Sequence, residues 1–261
     1  MTKTIDQLAQ QLREAAQSGK TCPPLRDIIG LEDLQRAYAI QNQNIQQRVS
    51  EGAHIVGCKI GLTSKAVQKQ LGVDQPDFGR LLNTMEVLNG DTIPFSELMQ
   101  PKAEAEIAFV LSKDLDSSNI TITDVISAID YALVSIEIVG SRIENWNIKI
   151  TDTIADNASA SHYVLGHKPV RLENLDLLNC KMQMYKNGEL VSEGVGAACL
   201  GSPINATLWL AKTMADLGQP LKAGQVILSG ALGPMVAAEP GDDIKAVIEG
   251  LGEVRVKFGD L

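Results

Sequence analysis

The chain has 261 residues, 44% of them hydrophobic and 21% charged, with a formal net charge of −9. That length can bury a sizeable core, and no apolar run approaches the roughly 18 residues needed to span a bilayer, which excludes a transmembrane reading. The acidic balance, with no basic stretch, excludes nucleic acid and anionic membrane as partners, because both need clustered Lys and Arg.

At the amino terminus Thr4 and Gln7 make a capping-box pattern, and Ile5, Leu8, Leu12 and Ala16 recur at helical spacing until Gly19. The opening residues have neither an apolar signal core nor an Arg-rich composition, so the default compartment is the cytoplasm. After Pro23-Pro24, the series Leu31, Leu34, Tyr38, Gln41, Ile45 and Val49 predicts a second helix ending near Gly52. Ile55 to Gly61 reads as a strand, Ser64 to Leu71 as a short helix closed by Gly72, and Asp77 falls in a glycine-bearing loop. Ala103 to Leu111 and Ala132 to Val139 read as strands separated by a short helix around Asp124 to Ile129. Asn187-Gly188 predicts a hairpin joining Met182–Tyr185 to Leu190–Ser192. A helix is expected from about Ile204 to Leu217 and a last strand over Glu253 to Phe258. Asn89-Gly90-Asp91, Ala223-Gly224-Gln225 and Pro240-Gly241-Asp242 each read as a turn opening a strand.

Strands and helices do not alternate regularly. The expected fold class is therefore α+β, a mixed β-sandwich or roll rather than a doubly wound parallel sheet. A helical region over 1–52 precedes a β-rich catalytic domain over 53–261, the two forming one structural unit. Cys22, Cys58, Cys180 and Cys199 show no C-x-x-C spacing and are expected as buried free thiols.

Within Pro101 to Val110, strand alternation puts Glu104 and Glu106 on one face and Ala103, Ala105, Ile107 and Phe109 on the other. Alone, that pattern also fits a solvated face. Glu137 sits between apolar neighbours in Leu133 to Val139, and a buried carboxylate needs an ion pair or a cation. Arg142 or a lysine could pair with it. Alternatively, three carboxylates on adjacent strands make a hard oxygen site suited to Mg²⁺ or Mn²⁺. Lys59, in an apolar strand, is either a desolvated proton carrier or a snorkelling side chain. Asp77 either carries chemistry or organises a turn. The small, polar run Asp156 to His162 suits a carboxylate-binding loop, with no nucleophile elbow around Ser159. His162 reads more readily as a packed or surface histidine than as a base, and the glycines of Gly194-Val195-Gly196 make a poor dinucleotide fingerprint.

Taken together, Pro24-Leu25-Arg26, Lys59-Ile60-Gly61-Leu62-Thr63, Leu71 to Gly79, Gln100 to Ile107, Val139 to Arg142, Asp152 to Ser159, Leu200 to Pro203 and Gly230 to Pro234 resemble the fumarylacetoacetate hydrolase superfamily. Within it they resemble the 2-oxopent-4-enoate (2-hydroxypenta-2,4-dienoate) hydratases of aromatic meta-cleavage catabolism, over nearly the whole chain. The resemblance implies Glu104, Glu106 and Glu137 as ligands of Mg²⁺ or Mn²⁺, Lys59 and Asp77 as acid/base residues, and Ser159 near the substrate carboxylate. The implied substrate is a small unsaturated 2-oxo or 2-hydroxy carboxylate. The implied assembly is a homo-oligomer, in complex with a downstream aldolase or a related decarboxylase. The nearest alternative is a 4-oxalocrotonate decarboxylase, a group that lacks the acid of Gln75-Pro76-Asp77-Phe78-Gly79. A non-catalytic, acid-binding subunit of such a complex is the other. An acylpyruvate-type hydrolase would need a His/Glu pair that is not found here.

Overall fold

The computed structural model describes residues 3–65, 68, 73, 75–117 and 119–260. Thr4 caps α1 (Ile5–Ser18) by accepting from the Gln7 N–H, Gln7 reciprocates on the Thr4 N–H, and Gly19 ends the helix at φ 67°. A single turn, α2 (Arg26–Ile29), was not expected from periodicity; α3 (Leu34–Ser50) follows it. Leu31 lies before α3 and is exposed, because Asp33 accepts the Arg36 N–H and starts the helix there.

The chain then forms β1 (Ile55–Gly61), β2 (Asp77–Leu82), β3 (Glu86–Val87), β4 (Thr92–Ile93) and β5 (Lys102–Leu111). Next come α4 (Ile122–Ala128), β6 (Ile129–Val139), α5 (Ile150–Ala155), β7 (Ala160–Leu165), β8 (Lys181–Lys186) and β9 (Glu189–Val195). The chain ends with α6 (Pro203–Asp216), β10 (Val226–Ala231), β11 (Val236–Ala237), β12 (Asp243–Ile248) and β13 (Gly252–Phe258). The three glycine turns open β4, β10 and β12 as expected, and Asn187-Gly188, at φ 54° and 87°, joins β8 to β9.

Two expectations change. The segment holding Asp77 is not a loop: it is β2, buried along its whole length, whose single glycine and single charged pair had hidden the strand pattern. α5 was not foreseen, because Thr151, Asp152 and Thr153 break its apolar period. The short helix expected over Ser64 to Leu71 lies largely outside the described residues.

One mixed sheet has the order β2-β1-β10-β5-β6-β7-β3, with β11 also pairing with β5; the second runs β4-β13-β12-β8-β9. The α+β sandwich expectation holds. The main core lies between the sheets, where Ile107, Phe109, Ile136 and Ile138 meet Met182, Met184, Ile244, Val254 and Val256. α1, α2 and α3 bury Leu8, Leu12, Leu25, Ile29 and Ile40 against Ile143, Ile150 and Ile154. Asp152 fixes that join by accepting from the Leu25, Arg26 and Lys149 N–H groups and from Arg26 Nη1. All four cysteines are buried and free.

Candidate active site

The main core uses one face of the larger sheet. The opposite face carries the charged residues, and cross-strand register shows why. Lys59 pairs with Leu228, Leu228 with Ala108, Ala108 with Leu133 and Glu104 with Glu137, so β1, β10, β5 and β6 turn these residues to the same side. Asp77 joins them opposite Gly61 on β1. All five candidate residues of acid/base or ligand type therefore share one sheet face.

Lys59 and Glu137 stand on strands three spacings apart, about 14 Å in a flat sheet. Yet Lys59 Nζ lies 3.0 Å from Glu137 Oε1, so this face is concave. Glu104 sits directly across from Glu137, with Glu106 one step further along the same face, and oxygens of the three fall within 4.8 Å of one another. Glu106 and Glu137 are fully buried and Glu104 is half-buried, so the face is not a solvated one. Lys59 is 3% exposed: its ammonium ends inside the protein, donating to the Ala158 carbonyl at 2.9 Å, and does not snorkel. The partner of Glu137 is this lysine rather than Arg142, which pairs with Asp156.

Burial disfavours charge on these acids. It raises Glu106 well above the ordinary carboxyl range, with Glu137 and Glu104 adding repulsion, and it raises Glu137 despite Lys59. Asp77 is pushed up to about 6 by burial, partly offset by Lys59. For Lys59 itself burial works downward, but Glu137, Glu104, Asp77 and Glu106 outweigh it and hold the ammonium above the ordinary lysine value.

Among the described residues, the buried side-chain oxygens without a well-aligned hydrogen bond are both of Asp77, both of Glu137, whose Oε1 is met only by the Lys59 ion pair, Glu106 Oε1 and the Ser229 hydroxyl. Five of these six belong to the cluster, whereas buried polar groups elsewhere are paired. Glu106 Oε2 accepts the Gly230 N–H at 2.9 Å. Three carboxylates whose oxygens converge within 4.8 Å on a buried concave face are the donor set a hard divalent cation takes, so the residues fit Mg²⁺ or Mn²⁺.

A model of the fumarylacetoacetate hydrolase C-terminal family matches residues 56–258. The chain belongs to that family. It is 54% identical over 253 residues to a 2-keto-4-pentenoate hydratase of Paraburkholderia xenovorans, covering 97% of this chain and 94% of the relative. It is also 52% identical over 257 residues to the TodF product hydratase of Pseudomonas putida, covering 98% and 96%. Among solved structures, a 4-oxalocrotonate decarboxylase from Pseudomonas putida G7, complexed with magnesium and adipate, superposes with a TM-score of 0.93 at 35% identity, covering 98% of this chain and 99% of the other. In this family member the glutamates, Lys59 and Asp77 thus come together on one surface.

Ser159 is buried, its hydroxyl 3.2 Å from Thr153 Oγ1, and it follows two other residues of positive φ, Asn157 and Ala158. Left-handed geometry costs an L-residue about 1–2 kcal/mol, so three in a row store strain. His162 is half-buried, its ring against the Ser161 hydroxyl, and burial pushes it down to about 4; it is the packed histidine of the simpler reading.

The sequence reading missed the supports. Gly61 and Gly79 exist for close approach: a Cβ at Gly61 would overlap Asp77 Oδ1, and one at Gly79 the Asn157 carbonyl. Gln41, 3% exposed, donates from Nε2 to the carbonyls of Phe78 and Ile154, tying the residue after Asp77 to the residue after Thr153. A polar residue inside the apolar stripe of α3 was the available signal. Tyr38, stacked on Phe78 with centroids 4.5 Å apart, braces the same strand.

Proposed function

We propose that the protein is a divalent-metal-dependent hydratase, a hydro-lyase that adds water to 2-hydroxypenta-2,4-dienoate, the enol of 2-oxopent-4-enoate (2-keto-4-pentenoate), giving 4-hydroxy-2-oxopentanoate. The observation that carries this reading is Asp77, an acid buried to 1% exposure on the same face as Lys59 and the glutamate triad. Hydration needs a group to accept a proton from water, whereas decarboxylation of a vinylogous β-keto acid does not. The hydratase relatives, more than half identical to this chain, support the same choice.

Glu104, Glu106 and Glu137 would hold Mg²⁺ or Mn²⁺, which when bound supplies Lewis acidity toward the C1 carboxylate and C2 oxygen of the substrate. The Lys59 ammonium delivers a proton to C5, is recharged by the proton that leaves the C2 hydroxyl, and delivers that one to C3; the proton that Asp77 takes from water then returns to Lys59, which restores both groups. Asp77 accepts the proton of the water that adds at C4. Ser159, beside Thr153, donates its hydroxyl to the substrate carboxylate.

No helix of the described residues is long and apolar enough to cross a membrane. The reading carries a cytoplasmic homo-oligomer, and an assembly with an aldolase or a related decarboxylase, since a 4-hydroxy-2-oxo acid is an aldolase substrate. Light scattering of the purified protein, alone and with such an enzyme, tests this. The activity is tested by incubating the protein with Mg²⁺ and 2-hydroxypenta-2,4-dienoate, and separately with 4-oxalocrotonate. The expected result is loss of the dienoate chromophore without CO₂; rapid CO₂ release from 4-oxalocrotonate with negligible hydration would overturn the hydratase reading.

A further inference from the structure

Asn157, Ala158 and Ser159 hold φ of 57°, 50° and 59°, one left-handed turn closed by the Ala160 N–H donating to the Asn157 carbonyl. L-residues enter this region singly, and a run of three persists only where its surroundings over-determine it. Asn157 supplies that constraint with its side chain. Its Oδ1 accepts the Arg80 N–H at 2.8 Å and its Nδ2 donates to the Arg80 carbonyl at 3.0 Å. β2 is the terminal strand of its sheet, so one carboxamide satisfies edge backbone left without a strand partner, as a neighbouring strand would. Gly79 leaves the space in which the Asn157 backbone approaches.

The carbonyl that this turn directs inward is that of Ala158, the acceptor of Lys59 Nζ. A right-handed or extended backbone at 157–159 would turn that carbonyl elsewhere, leaving Glu137 as the group that fixes the ammonium. Asn157 itself has both ends of its amide engaged by Arg80, so it offers the reacting atoms nothing directly.

We propose that Asn157 is a positioning residue: by docking on the edge of β2 it locks the left-handed turn whose Ala158 carbonyl aims the Lys59 ammonium into the site. This rests on the reading of Lys59 as a proton carrier.

The test is a double-mutant cycle of Asn157→Gly, Lys59→Met and the pair, with hydration kinetics, Mn²⁺ titration, and a crystal structure of Asn157→Gly. Glycine adopts positive φ freely, so this variant keeps the turn accessible and removes only the clamp. The expected outcome is a kcat lowered about 10–100-fold with KM within about twofold, since a misplaced group costs rate more than binding. Mn²⁺ affinity should be unchanged, Lys59 Nζ should leave Ala158 O in the crystal, and the substitution should have no further effect in the Lys59→Met background. Parent-like kcat in Asn157→Gly beside a slow Lys59→Met would overturn the proposal, as would an equal loss in both backgrounds, or a raised KM at unchanged kcat. A parent-like Lys59→Met would instead overturn the reading of Lys59. The crystal structure would then decide separately whether Asn157 holds the ammonium.

Discussion

Replacing Glu106 with Gln should raise the stability of the metal-free protein while removing its response to metal. The carboxylate is fully buried, one oxygen accepts only the Gly230 N–H, the other is unpaired, and burial and two neighbouring acids oppose its charge. Without a cation at pH 7 the chain either bears that charge or takes up a proton. For a carboxyl of ordinary value 4.5, protonation at pH 7 costs about 3.4 kcal/mol at 1.36 kcal/mol per pH unit, which bounds the penalty. Gln keeps the shape and the acceptor for Gly230 without the charge, so a gain of about 1–3 kcal/mol is expected. At about 2–4 °C per kcal/mol, Tm in EDTA should rise by roughly 2–12 °C. The parent should gain about 2.7 kcal/mol from Mn²⁺ at a hundred times its Kd, and the variant almost nothing. Differential scanning calorimetry in EDTA and across a Mn²⁺ series measures both. A variant that gains as much from Mn²⁺ as the parent, or that loses several kcal/mol in EDTA, would refute a buried, uncompensated charge at Glu106. Either result would mean the carboxylate is satisfied within the protein.

Asp77→Asn should lower kcat for hydration about 10²–10⁴-fold with substrate and Mn²⁺ binding retained, and it should abolish the acid limb of kcat/KM. In the parent that limb reflects an acid pushed up to about 6 by burial; the rate falls as pH drops through it, and bound cation moves it lower. A parent-like pH profile in the variant would remove Asp77 from proton transfer. Gly61→Ala should displace the Asp77 carboxylate that its Cβ would strike, costing about 1–3 kcal/mol by thermal melts and at least tenfold in kcat; unaltered turnover would show that the pair has slack. For His162, burial lowers the folded value to about 4 from 6.5, so the unfolded chain binds the proton first. Stability is fully present above about pH 6.5 and declines by up to about 3 kcal/mol toward pH 4, and urea titrations of His162→Gln should lack that component. An identical pH dependence in the variant would assign it to another group.

Local grammar was well written in the sequence. Thr4 with Gln7, Gly19, Asn187-Gly188 and the three turns that open strands act within a few residues, so the sequence shows them directly. The spacing of Glu104 and Glu106 likewise fixed their common face, because alternation is a property of one strand. What could not be read is whatever depends on a partner distant in the chain. Gly61 and Gly79 look like ordinary flexible residues until Asp77 and Asn157 are set against them, and Gln41 looks like a flaw in an apolar stripe until two carbonyls need donors. β2 was mistaken for a loop because strands buried on both faces lack alternation, and a preceding proline suggests a turn. The choice of Lys59 rather than Arg142 as the neighbour of Glu137 follows from sheet curvature, which residue spacing does not encode.

The two kinds of chemistry-bearing residue are anchored very differently. The glutamates project from β5 and β6, interior strands whose opposite face builds the main core, so any exchange there disturbs the packing of both sheets. Asp77 opens β2, at the sheet's margin, facing a glycine on β1 and braced from outside by α3. A change of side chain at that margin alters which protons move while leaving the glutamate nest intact. On the proposed reading the cation cradle is tied to the core while the acid beside it is not, so divergence to a new reaction can proceed through the margin without renegotiating the fold.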